Sequence, residues 1–242
     1  MSTRSLIKKT AESIMYGKFP YSIMKHVPQG FEFYFDLRKY RSDYHPKVVF
    51  DVGANTGQTV IKWNRFFPKA KYYCFEPVSG TMETLKKNTA GLKNIQYCQY
   101  ALGAEKKQAE ISLFNDSSLN SLSEGLKDSA AKTEIVQINT LDAFCQTESV
   151  GYIDVLKIDT EGFDIEVLKG ATSMLQGHKI TFIQVEAGMN PHNKLHVPLQ
   201  DFVDYLTPFG YVLFGIYEQH LEWTGEKRLS FSNPVFISER ML

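Results

Sequence analysis

Lys157, Asp159 and Glu161 stand at alternate positions of KIDTEG, and Glu186 closes the apolar run ITFIQVE. Alternate residues of an extended backbone share one face, so the lysine and the two carboxylates would meet there. A lysine inside an apolar run needs a partner, and these acids are the natural choice. Such a cluster can serve as an ion-pair network that braces a sheet. It can equally present Asp159, Glu161 and Glu186 to an acceptor and take its proton, a role worth roughly 10²–10⁴-fold in rate. The same three acids are hard oxygen ligands for a divalent ion. Nothing in their spacing demands one, and no metal is expected. His192 and His196 follow in NPHNKLHVP, where Pro191 and Pro198 frame a loop rather than a helix. Histidines in such a loop are more often surface groups, but His192 is the alternative base.

A second constellation lies in VVFDVGANTGQTV, residues 48–60. Gly53 and Gly57 allow positive φ and close backbone approach, and Asn55 tolerates the left-handed region. Alone, the stretch could be a strand turning into a helix. Its D-x-G-x-N-x-G spacing is a poor dinucleotide fingerprint, which disfavours a nicotinamide-dependent oxidoreductase, and it lacks the Lys-Ser/Thr ending of a P-loop. Glu76 ends the next strand about 20 residues on, where a carboxylate accepts both hydroxyls of a ribose. Asp51 sits badly for a pyrophosphate and well for a cationic ligand tail. Acids at both points favour a positively charged nucleoside, and S-adenosylmethionine fits. The expected cofactor residues are Asp51, Gly53, Ala54, Asn55, Thr56, Gly57, Gln58, Glu76, Pro77 and Asp159, with Ala101 and Leu102 against the adenine.

The elements that position these groups begin at Lys47. Runs 48–53, 71–77, 94–102, 153–159, 180–186, 211–217 and 233–239 are strand candidates. TGQTVIKWNRFF, SGTMETLKKNTA, FDIEVLKGATSML and LQDFVDYLTPFG have helical periodicity. Strands alternating with helices imply a mainly parallel, doubly wound α/β sheet covered on both faces. AEISLF and EIVQIN read as extra strands flanking the polar loop NDSSLNSLSEG (115–125), whose side chains could meet sugar hydroxyls or simply solvate the loop. Residues 1–46 form an N-terminal extension, with a helix over 3–16 and a short strand over 31–37, ending at His45-Pro46. Its aromatics, Tyr16, Phe19, Tyr21, Phe31, Phe33, Tyr34 and Phe35, suit a lid or acceptor platform, or docking onto the 47–242 domain.

Composition narrows the classes. The 27 basic and 27 acidic residues balance, so no bulk charge advertises a nucleic-acid partner. Three cysteines without C-x-x-C spacing suit a reducing compartment and argue against a zinc site. There is no secretory signal pattern and no run near the roughly 18 apolar residues of a membrane span. A soluble cytoplasmic protein is expected; a homo-oligomer stays open.

VVFDVGANTGQTV, FEP, NTLDAF and VLKIDTEGFDIEVLKGA together resemble the FkbM-type S-adenosylmethionine-dependent methyltransferases, from about Lys47 to the last strand. The resemblance implies a class I, Rossmann-like sheet of seven strands whose final strand is an antiparallel insertion. It also implies Asp51, Gly53, Asn55, Gly57 and Glu76 as cofactor residues. Members commonly O-methylate sugars or hydroxyls of natural products, so the expected partner is a small-molecule or glycan acceptor. An N-methyltransferase, a protein or lipid methyltransferase, and a non-catalytic nucleoside-binding module are the alternatives. Asp159, Glu161, Glu186, Lys157 and His192 are the expected catalytic set.

Overall fold

The computed structural model describes residues 27–114, 122, 132–222 and 228–242. The expected helix over 3–16, the aromatics Tyr16, Phe19 and Tyr21, and all of the 115–125 loop except Leu122 lie outside them. The chain divides into two compact units, Met1–His45 and Pro46–Leu242.

In the first unit the stretch expected as a strand over 31–37 is instead a helix, α1 (Phe33–Tyr40). The Asp36 carboxylate accepts from the Gly30 N–H at 2.7 Å, and the Phe35 and Asp36 N–H groups both reach the Glu32 carbonyl. This local closure outweighs the strand preference of the aromatics, which depends largely on what surrounds them.

In the second unit the elements follow in order. β1 is Val48–Val52, α2 Gln58–Asn64, β2 Lys71–Phe75, α3 Ser79–Asn88, β3 Ile95–Cys98 and β4 Ala101–Leu102. Then come β5 (Lys107–Leu113), β6 (Lys132–Asn139), α4 (Leu141–Thr147), β7 (Ile153–Ile158), α5 (Asp164–Lys169) and α6 (Thr172–Gln176). β8 (Ile180–Val185), β9 (Ala187–Gly188), α7 (Leu199–Leu206), β10 (Tyr211–Leu221) and β11 (Leu229–Ser238) complete it. The main sheet runs β10-β11-β8-β7-β1-β2-β3, with the two-residue β9 paired onto β11. β3, β2, β1, β7 and β8 are mutually parallel. β11 enters antiparallel between β8 and β10. Every residue of β7 and β8 is buried, as their unbroken apolar texture requires. Phe50, Tyr73, Phe75 and Phe144 stack edge-on and tilted behind β1 and β2, at centroid distances of 4.8 to 5.5 Å.

Two expected elements are divided. NIQYCQYAL breaks where the Tyr100 N–H turns back to the Cys98 carbonyl. β3 stays in the main sheet, while β4 pairs parallel with β6 in a second sheet of order β4-β6-β5. FDIEVLKGATSML breaks at Gly170 into α5 and α6. The Gly103 carbonyl, just beyond β4, comes so close that a Cβ on residue 170 would lie 2.0 Å from it. The Gly170 carbonyl accepts from the Asp142 N–H, and the Asp142 side chain accepts from the Ser173 and Met174 N–H groups, capping α6 at 2.7 and 3.1 Å. Thr140 caps α4 from the same segment. NTLDAF and VLKGATSM therefore clasp each other.

Gly170→Ala must push the β4 end away from α5, at a cost of about 1–3 kcal/mol in line with overpacked sites. Urea unfolding should register that loss, and an unchanged midpoint would refute the close approach.

Candidate functional site

The chain leaves β1 for β2 and β3 on one side and reaches β7 and β8 on the other, so strand order reverses between β1 and β7. Ligands bind beyond the carboxyl ends of strands at such a point. The Gly53 and Ala54 N–H groups both donate to the Phe75 carbonyl at 3.0 Å, and the Asp159 N–H donates to Val52 at 3.0 Å. Gly53 has φ 79°, and a Cβ there would sit 1.8 Å from the Asp159 carbonyl oxygen. Only glycine lets the two loops meet this closely. Above them opens a cavity of about 630 Å³.

One end of the cavity suits a nucleoside. Glu76 accepts from the Asn55 N–H at 3.1 Å and from the Val78 N–H at 3.0 Å, one through each oxygen. A carboxylate so held keeps lone pairs for two ribose hydroxyls. Burial pushes Glu76 up to about 7 against those two hydrogen bonds. Gly53, Ala54, Asn55, Gln58 and Pro77 line the same end, and Ala101 and Leu102 form an apolar wall with Ile111, Leu122 and Phe163. Three of the expected cofactor residues do not line it. Gly57 is the left-handed N-cap of α2, and the Thr56 carbonyl accepts from the Asn88 amide. Asp51 is fully buried behind the lining; it is the register partner of Lys157, whose Nζ is 3.6 Å away.

The other end is acidic. Lys157 Nζ donates to Asp159 at 2.8 Å. Burial opposes the ammonium, but Asp159 and Asp51 hold it above the usual lysine range. Burial likewise opposes the Asp159 carboxylate, and Lys157 overcomes it and keeps that group below the usual carboxylate range. Glu161 reaches the cavity through a left-handed turn, φ 52°, not along an extended strand as the alternation implied. Burial, then Asp159 and Glu186, push it up to about 9. Burial also raises Glu186, although His196 opposes this with its Nε2 3.1 Å from Oε2. Lys157, Asp159, Glu161 and Glu186 are thus brought together on the cavity wall. His192 is not; it is exposed and outside the lining.

His196 takes the place that sequence reasoning offered to His192. The Gly188 N–H donates to the Val197 carbonyl at 2.8 Å, and Gly188 bridges to Pro198, so the loop folds back onto β9. The ring of His196 lies on Phe231 of β11 at 4.7 Å, and His220 of β10 covers that phenylalanine's ring at 4.3 Å. Phe231 and His220 also line the cavity and carried no local sequence signal. The sequence set His196 beside His192 in one loop, and nothing local told which of the two turns to the cavity.

This sheet order, with an antiparallel strand inserted before the last edge and a ribose-ready glutamate after the second strand, defines a class I methyltransferase fold. Residues 51–213 match the Methyltransferase FkbM domain, and the chain belongs to that family. Its cofactor is S-adenosylmethionine. Among characterised relatives, the chain is 27% identical over 144 residues to the hexuronic acid methyltransferase AglP of Haloferax volcanii, covering 60% of this chain and 58% of that one. It is 24% identical over 176 residues to the 2-O-methyltransferase NoeI of Sinorhizobium fredii, covering 67% and 72%. Among solved structures, the Geobacter metallireducens precorrin-6y C5,15-methyltransferase superposes with a TM-score of 0.41 at 16% identity, covering 84% of this chain and 83% of that one. M. capricolum TrmK with S-adenosylhomocysteine gives 0.45 at 12%, covering 80% and 62%. Among the described residues no helix is long and apolar enough to cross a membrane.

Two measurements check the site. Glu76→Ala removes a carboxylate whose remaining lone pairs suit two ribose hydroxyls, so calorimetry should show S-adenosylhomocysteine binding weakened at least about tenfold. The second is the pH dependence of stability. Burial pushes Asp51 up to about 6, and burial with Asp159 pushes Asp164 up to about 7, alongside Glu76. Folded, these groups keep protons that the unfolded chain releases near pH 4, so their contribution is complete below about pH 4 and is lost as pH rises through 6–7. Asp159 acts with the opposite sign, but only in acid. The melting temperature of the ligand-free protein should fall from pH 5 to pH 8; a rise would contradict the burial of these acids.

Proposed function

We propose that the chain O-methylates a hydroxyl of a sugar, glycoconjugate or related natural product by in-line transfer. One observation carries this reading: a single cavity joins Glu76 and the glycine loop to Asp159, Glu161 and Glu186. When bound, S-adenosylmethionine supplies an electrophilic methyl carbon on sulfur. Glu76 holds the ribose hydroxyls, and the Ala101–Leu102 wall takes the adenine. Asp159, kept ionised by Lys157, faces the cationic tail. An acceptor hydroxyl entering from the acidic end would meet Glu161 and Glu186, and a carboxylate oxygen of that pair would take its proton while the methyl carbon passes from the sulfonium sulfur to the acceptor oxygen, leaving a neutral thioether. Alignment of the acceptor oxygen, the methyl carbon and the leaving sulfur would supply the remainder of the rate. The named activities of the two characterised relatives, on a hexuronic acid and at a 2-O position, favour a glycan hydroxyl over an amine.

The test is methyl transfer from labelled S-adenosylmethionine to a panel of sugars and glycosides, with amine acceptors alongside. Label in an ether linkage is the expected result; label found only on amines would reject the reading. Glu186→Gln should lower kcat by roughly 10²–10⁴-fold while S-adenosylhomocysteine binding holds.

A further inference from the structure

Glu161, Glu186 and His196 come from three separate segments, the loops after β7 and β8 and the return to α7. Their ligating atoms nevertheless lie within 4.8 Å of one another on the cavity wall. We propose that these three side chains hold a divalent metal ion of the Mn²⁺ type, and that two neighbouring oxygens of the acceptor complete its coordination. The inference rests on the reading of the cavity as an acceptor site.

The distances suit an ion. His196 Nε2 and Glu186 Oε2 are 3.1 Å apart, the separation of two adjacent ligands around an ion bound at roughly 2.0–2.2 Å. Side-chain rotation of Glu161 supplies the third ligand atom. The histidine is held as metal-binding histidines are, through its other nitrogen. His196 Nδ1 lies 2.8 Å from Asn193 Nδ2 and 3.1 Å from Asn193 Oδ1, and that oxygen also accepts the Leu195 and His196 N–H groups. Without an ion, Nδ1 accepts from the Asn193 amide and Nε2 donates to Glu186; with an ion bound, the ring proton would move to Nδ1, facing Asn193 Oδ1, and the Nε2 lone pair would be left on the Glu186 side. Phe231 stacked on the ring fixes its plane. Among the described residues, Lys157 is the single lysine or arginine lining the cavity, and its ammonium is placed on Asp159 and Asp51.

Two carboxylates and one imidazole select a first-row divalent ion, the carboxylates leaning to Mn²⁺ or Mg²⁺ and the imidazole to the transition metals. Each glutamate gives the ion one oxygen and keeps the other for the acceptor hydroxyl, so the ion adds to proton acceptance without replacing it. Three protein ligands leave open positions toward the cavity. A vicinal diol, or a hydroxyl beside a carboxylate or ring oxygen, fills two of them and brings one oxygen into line.

Mn²⁺ titration of the full chain, loaded with S-adenosylhomocysteine and followed by the loss of the free-ion electron paramagnetic resonance signal, tests this directly. The expected result is one saturable Mn²⁺ per chain. Glu161→Gln, Glu186→Gln and His196→Ala should each weaken it at least about tenfold, with S-adenosylhomocysteine affinity retained as proof of folding. Asp204→Asn, on the exposed face of α7, should leave it unchanged. No saturable binding, or binding indifferent to all three variants, overturns the ion and leaves His196–Glu186 as a hydrogen-bonded pair. Methyl transfer to sugars that persists undiminished in chelator also overturns it, without touching the proposed O-methylation. Mn²⁺ binding with no sugar methylated would keep the ion and reject that reading instead.

Discussion

The junction between β1 and β7 is the constraint on which the rest of the site depends. Asp51 and Lys157 are opposite one another in adjacent parallel strands, so their side chains emerge on one face. Two residues further on, the Gly53 backbone and the Asp159 carbonyl touch at a distance no side chain permits. Lys157 then links Asp51, below the lining, to Asp159, within it. Burying a lysine with two carboxylates seldom stabilises a fold relative to apolar residues of the same size, because desolvation consumes most of the attraction. The arrangement instead fixes position. It holds Asp159 ionised where the glycine loop faces the cavity, and it commits to that spot the one ammonium that the described residues contribute to the lining.

The two halves of the cavity are supported differently. The nucleoside end is made of backbone: two N–H groups orient Glu76, and two more tie the glycine loop to the end of β2. Such contacts depend on the backbone just beyond the ends of β1 and β2. Its apolar wall, Ala101 and Leu102, belongs to the second sheet and is located by the clasp of Gly103 on Gly170 and of Asp142 on α6. The family signatures NTLDAF and VLKGA are in this light supports for the wall and not reacting groups. The acidic end draws Asp159, Glu161, Glu186 and His196 from loops, which puts the proposed chemistry on the segments freest to vary with the acceptor.

Much of the fold was legible in the residues. Unbroken apolar runs of strand length, separated by helical periodicity, specify a parallel sheet because both faces of each strand must be covered. Where local pattern misled, a local cause is visible. Phe31–Leu37 has the aromatic density of a strand, but Asp36 closes a turn onto Gly30 and a helix follows. The helix read through 163–175 has ordinary periodicity, yet it breaks at Gly170 because a carbonyl from 67 residues earlier in the chain occupies the space. No window of sequence contains both partners.

The site divides along the same line. Residue types and strand ends by themselves determined that a glycine loop, a glutamate one strand later and a KIDTEG acid run share one rim, since parallel strands present all their carboxyl ends on one side. Tertiary structure alone decided which of those groups face the cavity. Asp51 turns inward to Lys157, Glu161 arrives by a left-handed turn, and His196 takes the place beside Glu186 because Gly188 pairs with Val197 and Pro198 and folds the loop back. Phe231 and His220 join it from the last two strands, where only the antiparallel insertion of β11 brings them to the rim. Strand ends are set by short-range pattern; the direction of a loop side chain is set by contacts between residues distant in sequence.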